Sequence, residues 1–230
     1  MLQARTTVFA AAAAVLALCQ PAFSQQPAGS DKQICDVPAD SALGLEDYPT
    51  TIKLHRRLLR SHPNDALAHY HLGFAYGMVG RIPEEIDEYR MAAALGLDKW
   101  DLFLNLGLGF AERGELSNAD SALEHAVLLG PDRAETHFNL ALVYEKEHRL
   151  SEALREITIS RRLEPQDPDE LNTNAMLCAE MGDFVCARDL WTHLVQTAPG
   201  YSPAQANLAI LSRTTNTDAP SLDGTAAIAP

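Results

Sequence analysis

Apolar residues along this chain recur at helical spacing, and the pattern then repeats as a block. The pairs Leu72-Gly73, Leu106-Gly107, Leu140-Ala141 and Asn174-Ala175 follow one another at intervals of 34 residues. Three positions after each pair stand Tyr76, Phe110, Tyr144 and Cys178; three before it stand His69, Phe103, His137 and Leu171. On a helix these positions share one face. A second stripe follows in each block: Glu85, Ala119, Ala153 and Ala187, then Tyr89, Leu123, Ile157 and Trp191, then Ala92, Ala126, Ser160 and Leu194. Gly80, Gly114 and Gly182 separate the two stripes, and Pro131, Pro165 and Pro199 close three of the blocks, with Leu97 at that position in the first. The pattern predicts two helices per block, a glycine turn between them and a proline stop after them.

The blocks span 66–99, 100–133, 134–167 and 168–201. A half-repeat helix over 47–65 carries Leu54 and Leu58 and ends before Pro63. A capping helix over 202–213 brings Leu208-Ala209 back into register. The order of large, small and aromatic residues follows the W-x2-L-G-x2-Y spacing, so the chain resembles the tetratricopeptide repeat (TPR) family. The resemblance implies an all-α fold, a right-handed superhelical solenoid of helix hairpins. No single hairpin buries its apolar face alone, so neighbours must stack. Two residues depart from the pattern. Glu85 stands where a small residue is expected, and Asn174 stands where Leu is.

In this family the first helices line a concave surface that receives peptide segments. Carried over position by position, the lining is Tyr70, Phe74 and Met78 in the first block and Leu104, Asn105 and Leu108 in the second. It is Phe138, Asn139 and Leu142 in the third, and Asn172 and Met176 in the fourth. The expectation is an apolar groove with a few amides that bond a peptide backbone. A second reading has the chain fill its own groove with its linker, its tail or the half-repeat helix. Some family members clamp a C-terminal carboxylate with basic residues and asparagines. Asn105 matches one asparagine position, but Tyr70, Glu135 and Asn139 stand at the basic ones. The expected partner is therefore an apolar protein or peptide segment, with basic flanks drawn by Glu112, Glu135, Glu145 and Glu180.

Composition narrows the setting. Lys+Arg number 18 against 31 Asp+Glu, a net charge of −13. That surface repels phosphate backbones, so nucleic acid is not an expected partner. Residues 1–24 read as a signal peptide: Arg5, an apolar run from Val8 to Leu18, a break at Pro21, and Ala22-Phe23-Ser24 at the cleavage site. The run is shorter than the ~20 residues a membrane span needs. The expectation is export, to a bacterial periplasm, with no span in the mature chain. Alternatives are secretion, or a lipid anchor at Cys19, where Leu16-Ala17-Leu18-Cys19 resembles a lipobox whose Leu18 is not small. Residues 25–46 read as a linker and 214–230 as a disordered tail.

Export permits disulfides. Cys178 and Cys186 flank the turn of the fourth hairpin and either form a bridge or pack as two buried thiols. His69 and His71 are two apart and point to different helix faces, so they are expected as core or surface residues and not as a metal pair. The chain carries no nucleophile elbow, phosphate loop, dinucleotide fingerprint or metalloprotease motif. Neither an enzyme nor a cofactor is expected. The function expected is that of an adaptor or scaffold in the cell envelope. The alternative is a structural subunit of an assembly or secretion complex that works through its convex face, and an enzyme is the remote third.

Overall fold

A computed structural model describes residues 36–165 and 167–216. The described residues form eleven α-helices and no strand. These are α1 (Val37–Gly44), α2 (Tyr48–Ser61), α3 (Ala66–Met78), α4 (Ile82–Ala94), α5 (Trp100–Glu112) and α6 (Leu116–Leu129). They continue as α7 (Ala134–Lys146), α8 (Leu150–Leu163), α9 (Pro168–Glu180), α10 (Phe184–Thr197) and α11 (Ser202–Asn216). The fold class is the expected one, an all-α repeat of helical hairpins. None of the described helices is long and apolar enough to cross a membrane.

The chain divides between Leu129 and Gly130 into two compact units. In the N-terminal unit α1 packs on α2, α2 on α3, α3 on α4, α4 on α5 and α5 on α6. In the C-terminal unit α7 packs on α8, α8 on α9, α9 on α10 and α10 on α11. The two stripes read from the sequence form the hairpin cores. The N-terminal unit buries Leu72 and Tyr89 in one hairpin and Leu106 and Leu123 in the next. The C-terminal unit buries Leu140, Ala141, Ala153 and Ile157 in one hairpin and Ala175, Ala187, Trp191 and Leu194 in the next.

Each of the four full hairpins turns in the same way. The residues at 80, 114, 148 and 182 all have positive φ, between 59° and 81°. Each donates its N–H to a carbonyl three residues back, and the next residue donates to one five back: Gly80 to Gly77 and Arg81 to Tyr76, through to Gly182 to Ala179 and Asp183 to Cys178. This is the Schellman closure, which satisfies the last carbonyls of a helix. Glycine fills the position three times because a Cβ disfavours that backbone. His148 fills it the fourth time, at φ 59°.

The small position of the first stripe is set by approach distance. A Cβ on Gly107 would come within 2.6 Å of Leu123 Cγ, and one on Gly73 within 2.8 Å of Tyr89 Cδ1. Glu85, large where its equivalents are alanine, is buried, and the chain accommodates it with a second glycine. Its carboxylate lies 2.6 Å from where a Cβ on Gly77 would be. Asn174 is also buried and leaves the register unbroken.

Two boundaries differ from expectation. Residues 37–44, expected within a linker, form α1. Asp36 caps the helix by accepting the Ala39 N–H at 3.3 Å, Pro38 sits in its first turn, and Ala39, Ala42 and Leu43 are buried. The half-repeat is thus a hairpin with a short first arm. Polar Asp36, Asp40 and Ser41 hide this signal in the composition, because the short helix shows only one buried face. The capping helix runs on to Asn216, into the expected tail. The leader over 1–24, the linker residues 25–35 and the tail residues 217–230 lie outside the described residues.

Candidate functional site

The expected lining residues lie on the first helices of the hairpins, α3 and α5 in the N-terminal unit, α7 and α9 in the C-terminal unit. In the N-terminal unit they separate into two groups. Tyr70, Leu104, Asn105 and Leu108 are buried. Tyr70 donates its hydroxyl proton to Asp101 Oδ2 at 2.9 Å, and Lys99 Nζ lies 5.1 Å from the centre of its ring. Burial, reinforced by Asp101, raises the Tyr70 phenol well above its ordinary range, so it stays a donor. Phe74 and Met78 are half-buried. Tyr48 of α2 meets Phe74 edge to face, with centroids 6.4 Å apart, so the half-repeat helix covers part of this face.

In the C-terminal unit Phe138, Leu142 and Met176 are half-buried, whereas Asn139 and Asn172 are buried. The two amides differ in what they have left to offer. Asn172 Oδ1 accepts from Trp191 Nε1 at 2.9 Å and from Asn207 Nδ2 at 3.3 Å, and its Nδ2 lies 3.4 Å from Met176 Sδ. It holds α10 and α11 to α9. Asn139 Nδ2 donates to the Glu135 carbonyl at 2.7 Å, but its Oδ1 is buried with no hydrogen-bond partner. A buried acceptor left unmade carries a penalty of about 1–3 kcal/mol. Phe138, its sequence neighbour on the same helix, is half-buried.

Charge around this face is acidic. Burial raises the Glu145 carboxyl, and the nearby Glu180 raises it further. Both belong to the set expected to attract basic flanks.

The histidines take structural roles that spacing alone does not reveal. His137 Nδ1 lies 2.7 Å from Glu156 Oε2, and its Nε2 lies 3.1 Å from the Pro131 carbonyl. His69 repeats this arrangement two blocks earlier, with Glu88 at 2.6 Å and the Pro63 carbonyl at 3.0 Å. Both ring nitrogens face acceptors, which suits the imidazolium. Accordingly, the Glu156 hydrogen bond raises the His137 pKa against the effect of burial. The same hairpins carry Arg81 over Tyr76, at 4.5 Å, and Arg149 over Tyr144, at 4.1 Å. In the fourth hairpin Cys178 and Cys186 occupy the positions of that tyrosine and of Glu84 and Glu152. They are joined by a disulfide, with Cα atoms 5.9 Å apart.

A further polar contact lies outside the sequence reading. Ser160 Oγ lies 2.8 Å from the Ala134 carbonyl and 2.6 Å from Glu170 Oε1. A hydroxyl has one proton, so both contacts are filled when the Glu170 carboxyl keeps its own and donates it to Ser160. Burial pushes that carboxyl up to about 7.

No protein-family model and no curated protein sequence matches the chain. Solved structures do. The crystal structure of MamA superposes with a TM-score of 0.68 at 18% identity, over 74% of this chain and 98% of that one. YrrB, a TPR protein with an unusual peptide-binding site, gives 0.69 at 20% identity, over 76% and 88%. TTC0263, a thermophilic TPR protein in Thermus thermophilus, gives 0.53 at 21% identity, over 76% and 95%. At these identities the likeness establishes a TPR-type fold.

Proposed function

We propose that this chain is a protein-interaction scaffold of the cell envelope that holds an apolar peptide segment with basic flanks against its first helices. The observation that carries this reading is the buried, unpartnered Oδ1 of Asn139 on the helix that also carries half-buried Phe138. An unmade acceptor and a half-open aromatic on one helix suit a peptide that offers both a backbone N–H and a large side chain. Phe74 and Met78 give the N-terminal unit an apolar shelf of its own. Glu145 and Glu180 supply charge for basic flanks. The peptide-binding site of YrrB, on a shared fold, supports the same class of partner. For the envelope setting, support comes from the leader pattern in residues 1–24 and from the Cys178–Cys186 bridge, since such bridges persist in oxidising compartments. Binding, not turnover, is the activity proposed.

The test uses two half-buried positions and the open acceptor of Asn139. Leu104 is 1% exposed, so a charge there reports on folding and not on binding. Phe74→Glu and Phe138→Glu stand at half-buried positions, and Asn139→Ala removes a buried amide whose Oδ1 has no partner. Captured peptides from an array, or a partner crosslinked in the native cell, should bind each variant more weakly, while circular dichroism stays unchanged. Undiminished capture by all three would overturn the reading and favour the convex face.

A further inference from the structure

Three side chains from three helices of the N-terminal unit converge: Asp40 of α1, His55 of α2 and His71 of α3. His71 Nδ1 lies 3.1 Å from Asp40 Oδ1, His55 Nε2 lies 3.3 Å from His71 Nδ1, and His55 Nε2 lies 3.7 Å from Asp40 Oδ1. Both histidines are buried, at 1% and 4% exposure, and Asp40 is half-buried at the rim. The His55 ring is fixed from behind, where its Nδ1 faces the Thr51 carbonyl at 3.0 Å. A carbonyl only accepts, so Nδ1 carries a proton, and Nε2 is the ring nitrogen that faces the cluster.

The Asp40 carboxylate, His55 Nε2 and His71 Nδ1 are each atoms that can give a lone pair to a metal, and all three converge. A cation satisfies all three donor atoms at once. The separations suit one in particular. Tetrahedral zinc with ligands at about 2.0–2.1 Å places its donors about 3.4 Å apart, in the middle of the observed range. One point about 2.0 Å from all three donor atoms exists within the triangle they define, so small displacement out of its plane completes normal bond lengths. The donors are two imidazoles and one carboxylate, a set that suits first-row transition metals and not calcium or magnesium. The Nδ1–H to carbonyl bond of His55 is the outer-shell contact by which metal-ligating histidines are oriented. Lys99, a positive charge near His71, is paired with Asp101 at 3.9 Å.

We infer that Asp40, His55 and His71 form a zinc-type divalent metal site, with solvent as the fourth ligand, that pins α1 and α2 to the first full hairpin. Its place fits a structural role. The short helix α1 has only Ala39, Ala42 and Leu43 to bury, and a metal ligand on that helix adds an anchor that its apolar surface does not supply.

The test is titration of tag-free, chelator-treated protein with zinc and, separately, cobalt. The expected result is one equivalent bound per chain, a rise in Tm with zinc, and the intense visible absorption of four-coordinate cobalt. Asp40→Asn, His55→Gln and His71→Gln should each weaken uptake by more than roughly tenfold, the loss typical of an outer-shell partner alone. His62→Gln and His193→Gln, at exposed histidines, should bind as the parent does. Where a cluster substitution costs the fold, the parent's stoichiometry and cobalt spectrum still decide. Sub-stoichiometric uptake, uptake that the three substitutions leave intact, or a six-coordinate cobalt spectrum would overturn the inference and leave a hydrogen-bonded polar cluster.

Discussion

His148 carries the backbone strain of its hairpin alone. At φ 59° it occupies the conformation for which the other three full hairpins use glycine and the short α1–α2 hairpin uses Glu46, at φ 58°. A side chain there costs about 1–2 kcal/mol, part of which glycine gives back through the freedom of the unfolded chain. His148→Gly should therefore stabilise the protein by about 0.5–1 kcal/mol in denaturant unfolding, with no change in slope. Glu170 makes a different prediction. Its folded pKa, about 7, stands above the ordinary value of 4.5. The folded state thus holds the proton more tightly, and the associated stability is full at low pH and is lost as pH rises through that window. Glu170→Gln keeps a donor for Ser160 and cannot ionise. The variant's Tm should gain on the parent's between about pH 5 and pH 8, a window set by that raised carboxyl, and a constant offset would show that Glu170 does not titrate there. His137 acts in the same direction. Its raised pKa means that stability present in acid falls away above its ordinary range.

At the scale of the element, a hairpin is decided by how closely its two helices approach. Gly107 lets α6 come near enough to put Leu123 at 2.6 Å from an added Cβ, with the Ala119 carbonyl at 3.3 Å. Overpacking of this kind costs about 1–3 kcal/mol, whereas Ala regains about 1 kcal/mol of helix propensity. The clash wins, and Gly107→Ala should lower Tm. The fourth hairpin has a covalent closure instead of the Tyr–Arg–Glu cluster at the same turn. The Cys178–Cys186 bridge closes a loop of sequence separation 8, for which the chain-entropy model gives about 2–3 kcal/mol. Cys178→Ser with Cys186→Ser should lose that much stability under oxidising conditions and make the protein indifferent to reductant.

At the scale of the whole molecule, the charge of −13 sets how partners arrive. If the partner's flanks are basic, attraction adds to affinity mainly through the rate of association. Raising the salt until the Debye length falls from about 30 Å to about 3 Å should weaken a basic-flanked peptide severalfold. It should leave the same apolar core with neutral flanks almost unchanged. Equal salt dependence for both would place the acidic residues away from the bound peptide.

Much of this protein was legible in one dimension, and the reason is local. Helix phase, the close approach at Gly73 and Gly107, the turns at Gly80, Gly114 and Gly182 and the stops at Pro131, Pro165 and Pro199 each depend on residues within one hairpin. Repetition at 34 residues made the signal cumulative. What the sequence left open depends on which side chains meet between helices. Asn172 and Asn139 look alike on a helix, yet one is engaged by Trp191 and Asn207 and the other keeps an unmade acceptor. Leu104 and Phe138 look alike as apolar lining, yet one is buried and the other half-open. Spacing sets His71 against His69, two residues away, whereas its neighbours in space, His55 and Asp40, stand on other helices, Asp40 in a stretch that reads as linker. Periodicity says which face of a helix is apolar; only packing in three dimensions says which polar atoms on that face are already satisfied, because hydrogen bonds are short and directional.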